Sequence, residues 1–271
     1  MNPLLDKLSR TAWQPVTPRG VTAFARARLG RLAVVQLVVA TLAAVCLGWF
    51  LQTAWLPVVR DAIGSLPAEG EIRHGQLVWR GDTPVRLAAN NFLSLGVDLW
   101  HEGNLGNESH LSLELGRTTI RVRSLLGYTE VEYPHDWIIA FNHDELVPWW
   151  GAWETWLLLC AGVAAALALF VSWTALATLY FLPLWLVAFF ANRDLNFRQT
   201  WRLAGAALLP GALWMALAVV IYGTGIFDLV QLGMAFAFHI LIGWIYAVAG
   251  VLLSPQHPEA APQPKNPFVR S

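Results

Sequence analysis

The chain alternates between long apolar runs and a single polar segment with strand periodicity. Residues 32–59 form an uncharged apolar run, longer than the ~20 residues that cross a bilayer as a helix. Further apolar runs cover 156–191, 203–222 and 229–253. This pattern predicts four membrane-length helices, one before and three after the polar segment at 60–147.

The polar segment shows the alternation that is typical of β-strands. Residues 72–77 predict a tight hairpin, with His74 and Gly75 at the positions that need positive φ. Leucines alternate with Ser112 and Glu114, a turn is predicted at 116–117, and alternation resumes over 120–123. Two more strands are predicted within 92–100 and 128–133, and helical lead-ins at 61–65 and 137–147. Residues 60–147 therefore predict a small β-rich domain.

The apolar stretch within 148–191 is long enough to be read in two ways. It opens with a tryptophan cluster typical of a membrane interface, and Pro183 permits a kink or a turn. One crossing places the basic loop 192–202 on the same side as the chain's N-terminal arginines, whereas two crossings reverse it. The positive-inside rule favours one net crossing, with the rest a helical extension along the inner surface.

Composition supports the membrane class. Hydrophobic residues make up 56% of the chain and charged residues only 13%, with a mean hydropathy of +0.48. The net charge of zero hides a segregation, because 1–31 carries six basic residues against Asp6, while 61–147 carries six arginines against thirteen acids. The segment 1–31 and the loop 192–202 are therefore expected to be cytoplasmic, and 60–147 extracytoplasmic. No basic run of the nucleic-acid-binding type occurs.

The two ends and the last helix carry further expectations. Residues 1–31 contain three prolines and are expected to be a solvated lead-in, and 254–271 a disordered cytoplasmic tail with five prolines. In the last helix, the pairs Gly233/Ala237 and Gly243/Ala247 have the small-xxx-small spacing that lets helices approach closely. Cys46 and Cys160 lie in apolar runs, where the spacing indicates neither a disulfide framework nor a metal site.

The candidate functional residues are three histidines. His239 falls near the middle of the last helix, where an ionisable group is either an interhelical hydrogen-bonding residue or part of a proton- or ligand-linked site. His135 and His143 lie with acidic neighbours in the stretch 135–145 before the second apolar run. Such a set would ligate zinc or belong to a solvated acidic face, and the latter reading is favoured. His101-Glu102 lacks the second histidine of a metalloprotease helix, because Leu105 occupies its position.

Several short stretches carry a family resemblance. Leu66-Pro67, the hairpin 72–77 and Pro84 look like the opening of an outer domain, and 197–203 with Leu209-Pro210 look like a cytoplasmic loop and third helix. On these residues, and on its layout over 32–253, the chain resembles the DUF1189 group of bacterial membrane proteins, distantly similar to Yip1-type proteins. The resemblance implies a bacterial inner-membrane location, and it carries no catalytic residues over to this chain. Some members are labelled as linked to maltodextrin utilisation, which implies an accessory role in transport.

These observations predict an α-helical integral membrane protein with an inserted small β-rich extracytoplasmic domain. We expect a non-enzymatic protein without a cofactor, whose outer domain binds or senses a ligand or partner. The helices at 32–59 and 148–253 would sit in the lipid bilayer and anchor it, or assemble with a membrane-protein partner or a second copy. The alternatives are an accessory subunit of a transporter, for which His239 is the support, and a membrane enzyme that uses the cluster from His135 to Glu145.

Overall fold

A computed structural model of the chain describes residues 15–102, 105 and 109–257. Within this part, four helices are long and apolar enough to cross a membrane, which confirms the predicted number. The helices are α1 (Pro18–Phe24), α2 (Leu29–Gly64), α3 (His143–Phe190), α4 (Phe197–Gly223) and α5 (Leu229–Leu252). The strands are β1 (Gly70–Arg73), β2 (Gln76–Trp79), β3 (Val85–Ala89), β4 (Leu93–Val97), β5 (Leu111–Leu115), β6 (Thr119–Ser124), β7 (Gly127–Glu132) and β8 (Ile139–Ala140).

The chain divides into two compact units. The first, called here the helical unit, comprises Met1–Cys46, Val163–Val219 and Val230–Ser271. The second, called the β-unit, comprises Leu47–Gly162 and Val220–Leu229. The helical part of the predicted fold class and its small β-rich part are therefore both present.

The short helix α1 corrects the expectation of a solvated lead-in. Thr17 caps this helix, since its Oγ1 accepts a hydrogen bond from the Gly20 backbone N–H at 3.1 Å, and Pro18 follows at the first helical position, where its missing N–H costs nothing. Val21 and Phe24 are fully buried in the core of the helical unit, and the Thr22 hydroxyl donates to the Gly250 carbonyl at 3.0 Å. Pro18 starts a helix here rather than preventing one. Residues 1–14 lie outside the described part.

Helix α3 decides between the two readings of the long apolar stretch. It runs without interruption over 48 residues, and Pro183 lies inside it without reversing the chain. Two short antiparallel helices within 156–191 are thereby excluded. At 1.5 Å per residue the helix is about 72 Å long, more than twice the ~30 Å of a bilayer's hydrocarbon core.

The two small-residue pairs of α5 differ in whether they lie at a contact with another helix. Gly243 and Ala247 are buried, and a Cβ on Gly243 would lie 3.6 Å from Leu208 of α4, so this pair lies at a helix contact as predicted. Gly233 has no atom within 4 Å of its Cβ position, and Ala237 is exposed. The Gly233/Ala237 pair therefore makes no helix contact within the described chain.

The start of the predicted disordered tail is ordered. The backbone N–H of Asp194 donates to the Pro255 carbonyl at 2.9 Å, and Arg193 Nη1 donates to the Ser254 carbonyl at 2.9 Å. Arg193 and Gln256 also form an isolated antiparallel bridge. The prediction of disorder is wrong for residues 254–257, because the loop after α3 offers them backbone partners. Residues 258–271 lie outside the described part.

The β-unit contains two sheets, and its first hairpin forms as predicted. Strands β1 and β2 pair antiparallel through Ile72 and Leu77, and His74 and Gly75 have φ of 49° and 71°. A three-stranded sheet has the order β2-β1-β8, and a five-stranded sheet has the order β3-β4-β5-β6-β7. Ile72 and Leu77 of the smaller sheet pack with Val97 and Tyr133 in one apolar core.

The larger sheet holds features that the alternation pattern does not give. Strands β4 and β5 are parallel, so the chain between them crosses from one end of the sheet to the other. Strand β3 was not predicted, and β8 replaces the first part of the helical lead-in expected at 137–147. The lead-in at 61–65 is confirmed, because α2 continues to Gly64.

Helix α2 contains one wider helical turn, in the part of the helix that belongs to the β-unit. Residues Leu51–Trp55 form a π-helical turn directly before Pro57. Proline lacks the N–H that would bond the carbonyl four residues earlier and its ring crowds that carbonyl, and a wider turn relieves both. The Ala54 carbonyl in this turn accepts a hydrogen bond from Asn90 Nδ2 at 2.6 Å.

Candidate functional site

The strongest candidate site is a buried charged cluster on one face of the five-stranded sheet. Register places Glu114 of β5 opposite Arg121 of β6 and opposite Gly96 of the parallel strand β4. Ser112 lies opposite Arg123 and Ser94 in the same way. Because side chains alternate between faces along a strand, these polar residues share one face. We call Glu114, Arg121, Arg123 and His101 the Glu114 cluster.

Burial along β5 is the reverse of what its leucines suggest. Glu114 is fully buried and Ser112 is 2% exposed, whereas Leu111, Leu113 and Leu115 are only partly buried. Charged side chains are almost never fully buried without a partner. The polar face of the sheet is thus the more deeply covered one, which makes it a special environment rather than a solvated surface.

The cover comes from the crossover between β4 and β5. The His101 ring lies against Gly116, so closely that a Cβ there would overlap the imidazole. Leu105 lies over Gly96, where a Cβ would be 3.0 Å from Leu105 Cδ1, and the Ser112 hydroxyl donates to the Leu105 carbonyl at 3.2 Å. The two glycines therefore allow the crossover to close over the sheet.

The charges of the cluster face one another without hydrogen bonds to the carboxylate. Glu114 Oε1 is 3.7 Å from Arg123 Nη1, and Oε2 is 4.0 Å from Arg121 Nη1 and 3.8 Å from His101 Nδ1. Both carboxylate oxygens, His101 Nδ1 and the Ser94 hydroxyl are buried without a hydrogen-bond partner in the described part of the chain. Ordered water commonly bridges polar groups whose separation exceeds about 3.5 Å.

Arg121 is held in place by a second carboxylate. Its Nε and Nη2 donate to Glu130 Oε1 at 3.0 and 2.8 Å, and its guanidinium lies 5.2 Å from the centre of the Tyr128 ring. The arginine is 18% exposed and Arg123 31%, so the cluster reaches from the buried carboxylate towards the surface. It offers a buried acceptor and partly accessible cationic donors.

Behind the cluster, a tyrosine supports the turn between β5 and β6. The Tyr133 hydroxyl donates to the Gly116 carbonyl at 3.0 Å, on the residue that His101 covers. Its side chain is 3% exposed, and this burial raises the pKa of the Tyr133 phenol well above its ordinary value. The phenol therefore stays neutral and keeps donating over the whole ordinary pH range.

A second group of contacts, also within the β-unit, joins the end of the same crossover to helices α2 and α4. His110, which ends the crossover, has its Nδ1 2.7 Å from the hydroxyl of Tyr222 near the end of α4. The two rings stack with centres 5.5 Å apart, and Phe92 and Phe50 pack edge-on or tilted against Tyr222. We call His110, Tyr222, Phe50 and Phe92 the His110 junction.

The structure separates the predicted members of the His135–Glu145 stretch. His135 lies against the hairpin turn at Gly75, His143 starts α3 with its Nδ1 3.1 Å from Asp144 Oδ1, and Glu145 lines a cleft of about 470 Å³ with Glu69 and Glu71. Within the described residues, no group of three or more His, Cys, Asp or Glu side chains is placed to hold a metal ion.

His239 does not reach a neighbouring helix with its side chain. Its Nδ1 is 2.5 Å from the Phe236 carbonyl, one turn earlier in α5. The residue's backbone carbonyl instead faces Gly211 of α4, where a Cβ would overlap it. The interhelical contact at this position is thus made by backbone against glycine rather than by the imidazole.

The members of the Glu114 cluster were missed as a site, although a signal for two of them existed. The turn predicted at 116–117 joins two alternating strands, and pairing those strands places Glu114 beside Arg121. His101 has no such signal, because only the crossover brings it to the sheet. Comparison with protein-family models, curated proteins and solved structures found no match for the chain.

Proposed function

We propose that this is a non-enzymatic, multi-pass protein of the bacterial inner membrane whose β-rich domain binds or senses a small polar ligand at the Glu114 cluster. One observation carries the proposal: a fully buried carboxylate has both oxygens without hydrogen bonds in the described part of the chain, and two arginines and a histidine lie within 4.0 Å of it. An isolated buried carboxylate costs several kcal/mol, and such groups mark functional sites. A ligand with donors would satisfy Glu114, and an acceptor on it would engage the arginines.

The proposed orientation puts the β-rich domain outside and both termini in the cytoplasm. It rests on the arginines before α2 and in the loop 192–202, against the acidic excess of 61–147. The helices would anchor the domain or assemble it with a membrane-protein partner or a second copy. An extracytoplasmic domain of this kind would meet its ligand on the outer side of that membrane.

Sensing follows from the two contacts of the crossover. Near its start, His101 belongs to the Glu114 cluster. At its end, His110 contacts the Tyr222 hydroxyl near the end of α4. A ligand that inserts between Glu114 and its cations would shift His101 and, with it, the segment that carries His110. His110 also directly precedes β5, the strand that carries Glu114, so a change at the cluster would reach the end of α4 along that strand.

A ligand screen on the full chain in detergent tests this proposal. Thermal unfolding is measured with amino acids and sugars, which combine donors with acceptors, and with polyamines, which carry donors alone. We expect at least one of these classes to raise the melting temperature of the wild type and to lose this effect in Glu114→Gln. Glu132→Gln, an exposed carboxylate of β7, is the matched control and should respond as the wild type does. If no class stabilises the wild type, or if Glu114→Gln responds equally, the cluster is not a ligand site.

A further inference from the structure

A groove at one end of the helical unit combines aromatic walls with arginines. It has a volume of about 490 Å³ and is lined by Leu29, Phe181, Phe197, Arg198, Trp201 and Arg202. We call it the Trp201 groove. Three helices contribute to it: the start of α2, the later part of α3 and the first turns of α4. It belongs to neither the Glu114 cluster nor the His110 junction.

The aromatic walls are held by contacts with each other and with Trp185 and Thr178 outside the groove. Phe197 packs against Trp185 with ring centres 4.7 Å apart and edge-on against Phe181 at 6.1 Å. The Trp201 indole N–H donates to the Thr178 hydroxyl at 3.1 Å. Phe197 nevertheless remains 53% exposed. The groove therefore presents a fixed apolar surface that would suit an acyl chain.

The charge around the groove is strongly positive. The described residues of the helical unit carry one carboxylate, Asp194, which pairs with Arg26 at 3.0 Å. Their basic side chains are seven arginines, at positions 19, 26, 28, 31, 193, 198 and 202. Arg202 Nη1 donates to the Ala27 carbonyl at 2.9 Å, which fixes its guanidinium at the groove. No carboxylate of the described part forms an ion pair with Arg198 or Arg202.

We propose that the Trp201 groove binds an anionic phospholipid, with the phosphate on Arg198 and Arg202 and an acyl chain along Phe181, Phe197 and Trp201. Guanidinium groups recognise phosphate with paired hydrogen bonds, and the phosphate supplies the negative charge that this unit lacks. A free inorganic phosphate would meet the arginines but leave the aromatic wall exposed to water. A lipid satisfies both parts of the groove at once, at the end of helices that are long enough to cross its bilayer.

Native mass spectrometry of the delipidated full chain tests the site. Phosphatidylglycerol and phosphatidylcholine with identical acyl chains are titrated separately, and bound lipid is counted. We expect phosphatidylglycerol to bind about thirtyfold more tightly, because its net negative charge interacts with both Arg198 and Arg202. The double variant Arg198→Gln/Arg202→Gln should bind the two lipids about equally. Arg19→Gln, an exposed arginine of the same unit outside the groove, should retain the preference.

Two further results separate the sources of phosphate and of charge. Millimolar inorganic phosphate should fail to displace phosphatidylglycerol, and complete displacement would identify a simple anion site and overturn the proposal. Equal binding of the two lipids by the wild type would overturn it as well, whatever the variants do. Loss of the preference in Arg19→Gln to the same extent as in the double variant would show that net charge, rather than the groove, selects the lipid.

Discussion

Glu114 and Arg121 lie directly opposite each other on strands β5 and β6, yet their closest charged atoms are 4.0 Å apart. Arg121 instead donates its short hydrogen bonds to Glu130. Arg123 and His101 stand off from the same carboxylate by 3.7 and 3.8 Å. The geometry leaves a fully buried acceptor surrounded by donors that lie beyond hydrogen-bonding distance.

The first prediction concerns the contribution of Glu114 to the local stability of the sheet. Glu114→Ala removes the buried negative charge beside Arg121 and Arg123 and should lower the local stability of β5 and β6 by about 3 kcal/mol. The control Glu71→Ala breaks the exposed pair with Arg73 and should cost no more than about 1 kcal/mol. Hydrogen exchange of the β5 and β6 amides in the full chain measures the first effect, and exchange of the β1 amides the second. Equal losses would mean that Glu114 is an ordinary surface charge.

The second prediction is a pH dependence that arises from Tyr133. Burial raises the pKa of its phenol above the 10.0 of an unfolded chain, so below pH 10 the phenol is neutral in both states and contributes no slope. Above pH 10 the unfolded state loses the proton first, and the free energy of unfolding falls as pH rises. Tyr133→Phe should flatten this alkaline limb and cost about 1 kcal/mol near neutral pH through the lost bond to Gly116. Unfolding curves at several pH values measure this alkaline limb. If the limb is unchanged in Tyr133→Phe, the assignment of the pH dependence to Tyr133 is refuted.

The third prediction contrasts two glycines of the helical unit. A Cβ on Gly211 would overlap the His239 carbonyl, so Gly211→Ala must push α4 from α5 and should destabilise the chain by about 1–3 kcal/mol. Gly233→Ala meets open space and should be neutral or slightly stabilising, because alanine favours helix. Equilibrium unfolding in mixed detergent measures both variants. The helix contact would be wrong if both were neutral.

The fourth prediction concerns the His110 junction. His110→Phe and Tyr222→Phe each keep a ring for stacking and remove one side of the 2.7 Å contact. Each variant should cost about 1 kcal/mol, and the double variant should cost little more than either, which gives a coupling of about 1 kcal/mol. A double-mutant cycle on the free energy of unfolding provides the value. Strict additivity would show that the two groups do not interact in solution.

Local patterns predicted much of this molecule because they depend on near neighbours in the chain. The positive φ at His74 and Gly75 follows from the two-residue turn, and the four long helices follow from apolar runs without charge. The β8 strand was missed because its two residues pair with β1, some seventy positions away, and carry no alternation of their own.

The candidate site was harder to predict because it depends on a long-range crossing. Alternation assigned Glu114 to an open face, and only the parallel pairing of β4 with β5 brings His101 and Leu105 over that face. Parallel pairing leaves no short-range signal, since the connecting chain determines it. For the same reason the buried α1 looked like a solvated segment, although its cap at Thr17 was visible in the sequence.

The most direct test of the proposed function is hydrogen exchange of the full chain in wild-type and Glu114→Gln forms. The account predicts faster exchange in Glu114→Gln at three places: the cluster, the crossover peptide that contains His110, and the end of α4 around Tyr222. Glu132→Gln should exchange as the wild type does. A change confined to β5 and β6, with the peptides of His110 and Tyr222 unaltered, would contradict the claim that the cluster communicates with the helices.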